Sequence, residues 1–351
     1  MTDFNLVQIR RALEKELGHP VNPQQISILY TRSWGDYWEN KTAFVQQLSQ
    51  TPQQNFVVIH VGFEGFSLTV SGLVDCVRQH AHSRVFVFSP NSVVDDSPWP
   101  NIFWHEFAVT DEITRAQSYW LPSQPVTKPE FVWALFVGRR TMPRVRALFD
   151  CHTQIPDAVL LSAMNDPSPP SWEFWQHPER VYDQLGDWIA SAELQQFEQF
   201  YKNWPLISVD NTSVQDQYHS NAVGDNRAMH QVQSLLGQQT RYLFEITLET
   251  MTRGLTFTPS EKTIRAITAQ KAQVVYAAPG FLKHLRGLGF ETWGNLWDEA
   301  YDQLEGPCRY RAMWQVIKSV ASMTTQQQWN LYQRSQEICK HNANVLTQYF
   351  R

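Results

Sequence analysis

The sequence predicts an α/β protein built from two successive open parallel sheets, and three observations carry that prediction. Short runs rich in β-branched and aromatic residues, at 26–30, 55–60 and 84–88, read as strands buried on both faces. Helix-compatible stretches at 37–50 and 68–80 lie between them, which is the βαβ order of a parallel sheet. After a stretch that holds Pro122, Pro125 and Pro129, the same alternation resumes. Proline fixes φ and lacks an amide donor, so this stretch continues neither a helix nor a central strand and reads as a linker.

The layout that follows is a first domain over 1–122, a linker over 123–130, a second domain over 131–324 and a helical C-terminal segment over 325–351. A fourth short strand is expected in the first domain at 102–105, and the second domain offers strands at 131–137, 158–161, 206–209, 242–249 and 273–277. The run Tyr242-Leu-Phe-Glu-Ile-Thr-Leu-Glu249 is read as a strand because apolar and polar residues nearly alternate along it. From Thr325 onward the chain is polar and glutamine-rich with apolar residues at helical spacing, which predicts one or two helices packing across the domains.

At 351 residues, 42% hydrophobic and 18% charged, the chain is long and apolar enough for two cores and is not a disordered protein. A net charge of −5 argues against a surface that grips nucleic acid as a whole, although it leaves room for a local basic groove. The cysteines at 76, 151, 308 and 339 form no Cys-x-x-Cys pair, so neither a disulfide framework nor a structural zinc site is expected. Reduced thiols, an N-terminus without the apolar core of a signal peptide, and no apolar run of about 18 residues predict a soluble cytoplasmic protein with no membrane partner. The 14 tryptophans, 12 tyrosines and 20 phenylalanines are expected to be mostly core, because each ring buries so much area.

Two constellations carry chemistry. Glu249 and the triplet Ser260-Glu261-Lys262 flank a glycine-containing loop at a strand-to-helix junction, where open α/β sheets bind ligands. With Thr258 as N-cap, Pro259 as first helical residue and Glu261 as third, the pattern is a capping box, so Glu261 is either a structural cap or a ligand group. Lys262 in the first turn opposes the helix dipole at a cost of about 0.3 to 1 kcal/mol, a conflict an anionic ligand removes. The second constellation is Gly138-Arg139-Arg140-Thr141-Met142-Pro143-Arg144-Val145-Arg146, in which Thr141 or Met142 can cap and Pro143 can open a helix. Its four arginines, Arg139, Arg140, Arg144 and Arg146, could grip a diphosphate together with helix-end amides; alternatively they pair with surface carboxylates at a solvated turn.

This order, followed by Phe281-Leu-Lys-His-Leu-Arg-Gly-Leu-Gly-Phe290, resembles the C-terminal domain of the α-1,3-fucosyltransferase type of glycosyltransferase and is similar to glycosyltransferase-like proteins of tailed phages. The likeness covers residues 131–320 and leaves the first 120 residues unmatched. It implies two Rossmann-like domains facing each other across a cleft, the GT-B arrangement, with a nucleotide sugar in the C-terminal half and the acceptor in the N-terminal half. Carried over, Arg146 or Arg144 and Lys262 hold the diphosphate, Glu249 faces sugar or base, and Glu261 binds ribose hydroxyls. Ser260 stands where the family has threonine, and the spacing from Glu249 to Glu261 is longer than in the fucosyltransferases, which leaves the sugar open.

The implied activity is transfer of a sugar from a nucleotide-diphosphate sugar to an acceptor hydroxyl, with inversion and without a cofactor. The acceptors that the phage likeness suggests are a modified DNA base, a phage-encoded sugar structure or a protein, in the host cytoplasm. DNA would need a basic groove, and the N-terminal half has few clustered cations. A non-catalytic nucleotide-sugar-binding protein and a sugar-nucleotide epimerase are the alternatives. Inverting transfer needs a general base for the acceptor hydroxyl and charge stabilisation on the leaving diphosphate. The base candidates are Glu64 and His60, in His60-Val-Gly-Phe-Glu64, and Asp36, in Ser33-Trp-Gly-Asp-Tyr-Trp38; each could instead be a helix cap or a core residue. No Asp-x-Asp pair occurs, and adjacent Asp95 and Asp96 project in different directions, so no catalytic metal is expected.

Overall fold

Strands covered on both faces need apolar side chains on both, and the runs read from the sequence supply them. The computed structural model describes residues 9–31 (except 12 and 16), 41–61 (except 53), 73, 75, 77, 85–89, 104–106, 123–137, 141–163, 185–202 and 237–348. The chain divides into two compact units, one of residues 1–111 with 253–258, the other of residues 112–252 with 259–351.

In the first unit β1 (Ile26–Thr31), α1 (Lys41–Gln50), β2 (Phe56–Val61), β3 (Val85–Ser89) and β4 (Trp104–Glu106) follow one another. The four strands pair in that order, all parallel. Val57, Val58 and Ile59 of β2 are fully buried, as a central strand requires. Helical residues 9–11 and 13–15 bring Ile9 and Leu13 into one apolar cluster with Phe56, Val58 and Phe86.

The second unit holds β5 (Phe131–Val137), α2 (Met142–Gln154), β6 (Val159–Ala163), α3 (Leu185–Trp188), α4 (Leu194–Lys202) and β7 (Tyr242–Leu248). After them come α5 (Glu261–Thr268), β8 (Gln273–Tyr276), α6 (Phe281–Gly287), α7 (Gly306–Ala321) and α8 (Thr325–Gln348). Its strands are parallel in the order β6-β5-β7-β8. The chain passes from β5 to one neighbour, β6, and then places β7 on the other side of β5. That reversal is a topological switch point at the carboxyl ends of β5 and β7, and open α/β sheets bind ligands in the crevice outside such a point. The expected strand at 206–209 lies outside the described residues.

β7 departs from its alternating pattern, since all seven of its residues are buried. The polar positions are satisfied inside the protein. Glu245 is paired with Arg265 and accepts the Tyr242 hydroxyl at 3.2 Å, while the Thr247 hydroxyl donates to Gln273 at 2.6 Å. Alternation here records a central strand with internal polar partners rather than a solvent face.

The proline-rich stretch is tied to the second unit. The Gln124 amide donates to the Gln239 side chain at 3.2 Å and the Val126 amide to the Tyr332 hydroxyl at 3.3 Å. The C-terminal segment is one helix, α8, which packs on α5 and β7 within this unit. Among the described residues aromatic rings fill the core: Trp133 and Trp293 are fully buried, with the Trp133 ring 5.4 Å from Phe244 and 5.9 Å from Trp297. Among the described residues no helix is long and apolar enough to cross a membrane.

Candidate functional site

The carboxyl end of β5 leads toward the start of α2, and that of β7 leads to Glu249 and then to the start of α5. α2 begins close to where its sequence predicts: Thr141 is the N-cap residue in extended conformation, although its side chain makes no capping bond, and Met142 rather than Pro143 is the first helical residue. α5 begins later than predicted. Ser260, not Thr258, is the N-cap, and Glu261 and Lys262 are the first two helical residues, so the capping box of Thr258 and Glu261 does not form. The cause is a contact distant in sequence. Glu249, at the end of β7, accepts the Ser260 amide at 3.1 Å and the Ser260 hydroxyl, and also takes the Thr263 hydroxyl. The same Ser260 hydroxyl accepts the Lys262 amide at 3.3 Å and the Lys262 ammonium at 3.2 Å.

Glu249 is 3% exposed and serves as the anchor of the first turn of α5. Replacing it by alanine strands one part-buried amide and two hydroxyls, a loss expected to cost about 1–3 kcal/mol of stability. Glu249→Gln should cost less, since its carbonyl oxygen still accepts. Denaturant midpoints of the two variants check this ordering.

Lys262 is brought to the crevice by that anchoring, its side chain 13% exposed and its ammonium 2.5 Å from Glu261. Burial pushes the Glu261 carboxyl upward, but the Lys262 ammonium, then the residue's own backbone amide and the Arg144 guanidinium, outweigh it and hold the carboxyl at about 2. Arg144, 2% exposed, reaches from α2 across to the end of β7, donating to the Leu248 carbonyl at 3.1 Å and to the Thr250 hydroxyl at 3.3 Å. Arg144, Glu249, Ser260, Glu261 and Lys262 thus converge on one end of the sheet, with two cations and two carboxylates among them.

Arg146 is placed differently. All five of its N–H donors are engaged: two on Asp150 at 2.8 and 2.9 Å, two on Glu193 at 2.9 and 3.1 Å, and one on the Trp188 carbonyl at 3.0 Å. Burial works against its charge, yet the two carboxylates outweigh burial and raise its pKa. Asp150, fully buried, also accepts the Tyr310 hydroxyl at 2.7 Å, so this arginine ties α2 to α7 and to the segment before α4. In this arrangement it offers no donor to a ligand. The i,i+4 spacing of Arg146 and Asp150 was a signal for this pairing within the sequence itself.

Arg139 and Arg140 lie outside the described residues, as do Asp36 and Glu64. His60 contributes its main chain to β2, opposite Tyr30 of β1, and its side chain is outside what is described. The third helix start at this end of the sheet, that of α6, is closed by the protein's own carboxylate. Asp302 accepts the Leu282 and Lys283 amides at 3.1 and 3.3 Å. Gly280, the N-cap there, has φ +76°, and this conformation rather than lack of space calls for glycine, since an added Cβ would meet only the His284 ring at 3.8 Å.

Among the described residues no group of three His, Cys, Asp or Glu gathers that could hold a metal ion, and Cys151, Cys308 and Cys339 are free thiols. The cations of the crevice are Lys262 and Arg144, and ammonium and guanidinium groups are chemistry that anions pair with. Comparison with family models, with curated proteins and with solved structures found no match.

Proposed function

We propose that the second unit binds the diphosphate of a nucleotide sugar at the carboxyl ends of β5 and β7, and that the chain transfers the sugar to an acceptor hydroxyl. The observation that carries this reading is the convergence of Arg144 and Lys262 at the point where the strand order reverses. The likeness of the 131–320 segment to fucosyltransferase-type glycosyltransferases supports the choice of a sugar donor. Of the two arginines weighed for the diphosphate, we assign Arg144, because the Arg146 guanidinium is saturated by Asp150 and Glu193. Lys262 and Arg144 then stabilise charge on the leaving diphosphate without a metal. In this reading the first unit supplies the acceptor side of a GT-B arrangement and the general base, drawn from Glu64, His60 and Asp36. The DNA acceptor suggested by the phage likeness is one arm of the acceptor screen.

A thermal-shift panel of UDP, GDP, CMP and their sugars tests the donor. Ligand at about 100 times Kd should stabilise the native chain by roughly 2.7 kcal/mol, and Lys262→Ala should remove the shift. Glu64→Ala should leave the donor shift intact and stop transfer if Glu64 is the base. Sugar transfer by the Lys262→Ala protein at the native rate would overturn the diphosphate assignment.

A further inference from the structure

The ammonium at the crevice already has an anion on it. Glu261 holds Lys262 at 2.5 Å, and 35% of its side chain is exposed. Glu249 cannot take this part, since its oxygens are committed to Ser260 and Thr263. Among these four described side chains the formal charges of Arg144 and Lys262 equal those of Glu249 and Glu261 in number and oppose them in sign. An arriving monoanion that displaces Glu261 replaces one ammonium–anion contact with another and bears its own desolvation, which leaves little gain. An anion with two or more charges can engage Lys262 and Arg144 together, and its second charge has no counterpart in the contact it breaks.

We infer that Glu261 is a specificity-determining residue, an internal competing anion that makes the crevice admit polyanions of the diphosphate kind and turn away monoanions. The inference rests on the diphosphate reading of this crevice. It differs from the expectation that Glu261 serves only to hold ribose hydroxyls, because it assigns the carboxylate a role before any ligand arrives. It also predicts opposite signs for neighbouring substitutions: loss of Lys262 weakens anion binding, and loss of the Glu261 charge strengthens it.

Calorimetric titration of the full chain with inorganic pyrophosphate, and with nitrate as the monoanion, reads both. Glu261→Gln should bind pyrophosphate about tenfold more tightly than the native chain, the effect of removing one nearby like charge, and should acquire nitrate binding that the native chain lacks. Lys262→Ala should lose pyrophosphate binding. If Lys262→Ala loses binding while Glu261→Gln binds no more tightly and still ignores nitrate, the charge filter is overturned and the diphosphate site stands. If Lys262→Ala binds pyrophosphate as the native chain does, the site reading itself fails. A second measurement needs no variant. When sulfate displaces Glu261 from Lys262, the carboxyl returns toward its ordinary range, so the native chain should take up about 0.4 proton per sulfate near pH 4.5. Calorimetry in two buffers of different ionisation enthalpy reads that uptake, and sulfate binding with none would overturn the proposal.

Discussion

Replacing Asp302 by alanine is expected to destabilise the second unit by about 3–5 kcal/mol, seen as a lower denaturant midpoint at unchanged slope. Asp302 is 2% exposed and performs two tasks with one carboxylate. It accepts the first amides of α6, and it is the counter-charge of Arg309, which is itself fully buried and 2.9 Å away. Without it Arg309 keeps the carbonyls of residue 302 and Val275, at 2.8 and 3.4 Å, and the Tyr301 ring 5.6 Å away, for a guanidinium removed from water. Its Nε already lacks a partner, so the site has no slack to absorb the loss. Arg309→Met should cost distinctly less, because the Asp302 carboxylate still receives the α6 amides after the guanidinium is gone. Equal losses from the two variants would contradict this division of labour.

The same contrast between local and distant causes decides what could be read from the sequence. The strands at 26–30, 55–60, 131–137 and 273–277 were legible because a strand covered on both faces must be apolar throughout, a property written in a few consecutive residues. The α2 start was legible for a similar reason, with an extended residue, a proline and a periodic run standing side by side. The α5 start was misread by two residues because its determinant is Glu249, eleven positions upstream, whose carboxylate selects Ser260 as the cap over a Thr258 that fits the local pattern equally well. Arg146 looked like a phosphate ligand for want of its partners. Asp150 was visible at i+4, but Glu193 arrives from 47 residues away. The crevice itself followed from βαβ alternation, whereas the strand order that locates it, with β5 between β6 and β7, depends on pairing that no short window contains.

Lys271→Met is expected to stabilise the protein near pH 6 and to lose that advantage by pH 10. Lys271 is 1% exposed, and its ammonium donates to the Tyr242 carbonyl at 2.9 Å with the Tyr242 and Tyr332 rings 4.8 and 5.7 Å away. Burial pulls its pKa down to about 7, although Glu245 on β7 and Cys339 on α8 pull the other way. In the unfolded chain the same group titrates near 10.4, so between the two values the unfolded state binds the proton and the folded state does not. Stability from this residue is therefore complete above about pH 10.4, falls by about 1.4 kcal/mol per unit as pH drops toward 7, and is flat below. Methionine has no such titration. It forfeits the bond to the Tyr242 carbonyl, about 1 kcal/mol, at every pH, and escapes the burial of a charge, which is largest in the acid range. The net effect should be a gain of about 2–4 kcal/mol at pH 6 that shrinks to zero or reverses at pH 10, with shared titrations cancelling in the difference between the two proteins. Urea denaturation of both chains at the two pH values measures it, and a difference independent of pH would mean that Lys271 keeps its proton in the folded protein. Tyr332, whose ring faces this lysine, also receives the Val126 amide, so one ring touches the buried ammonium and joins α8 to the proline-rich stretch.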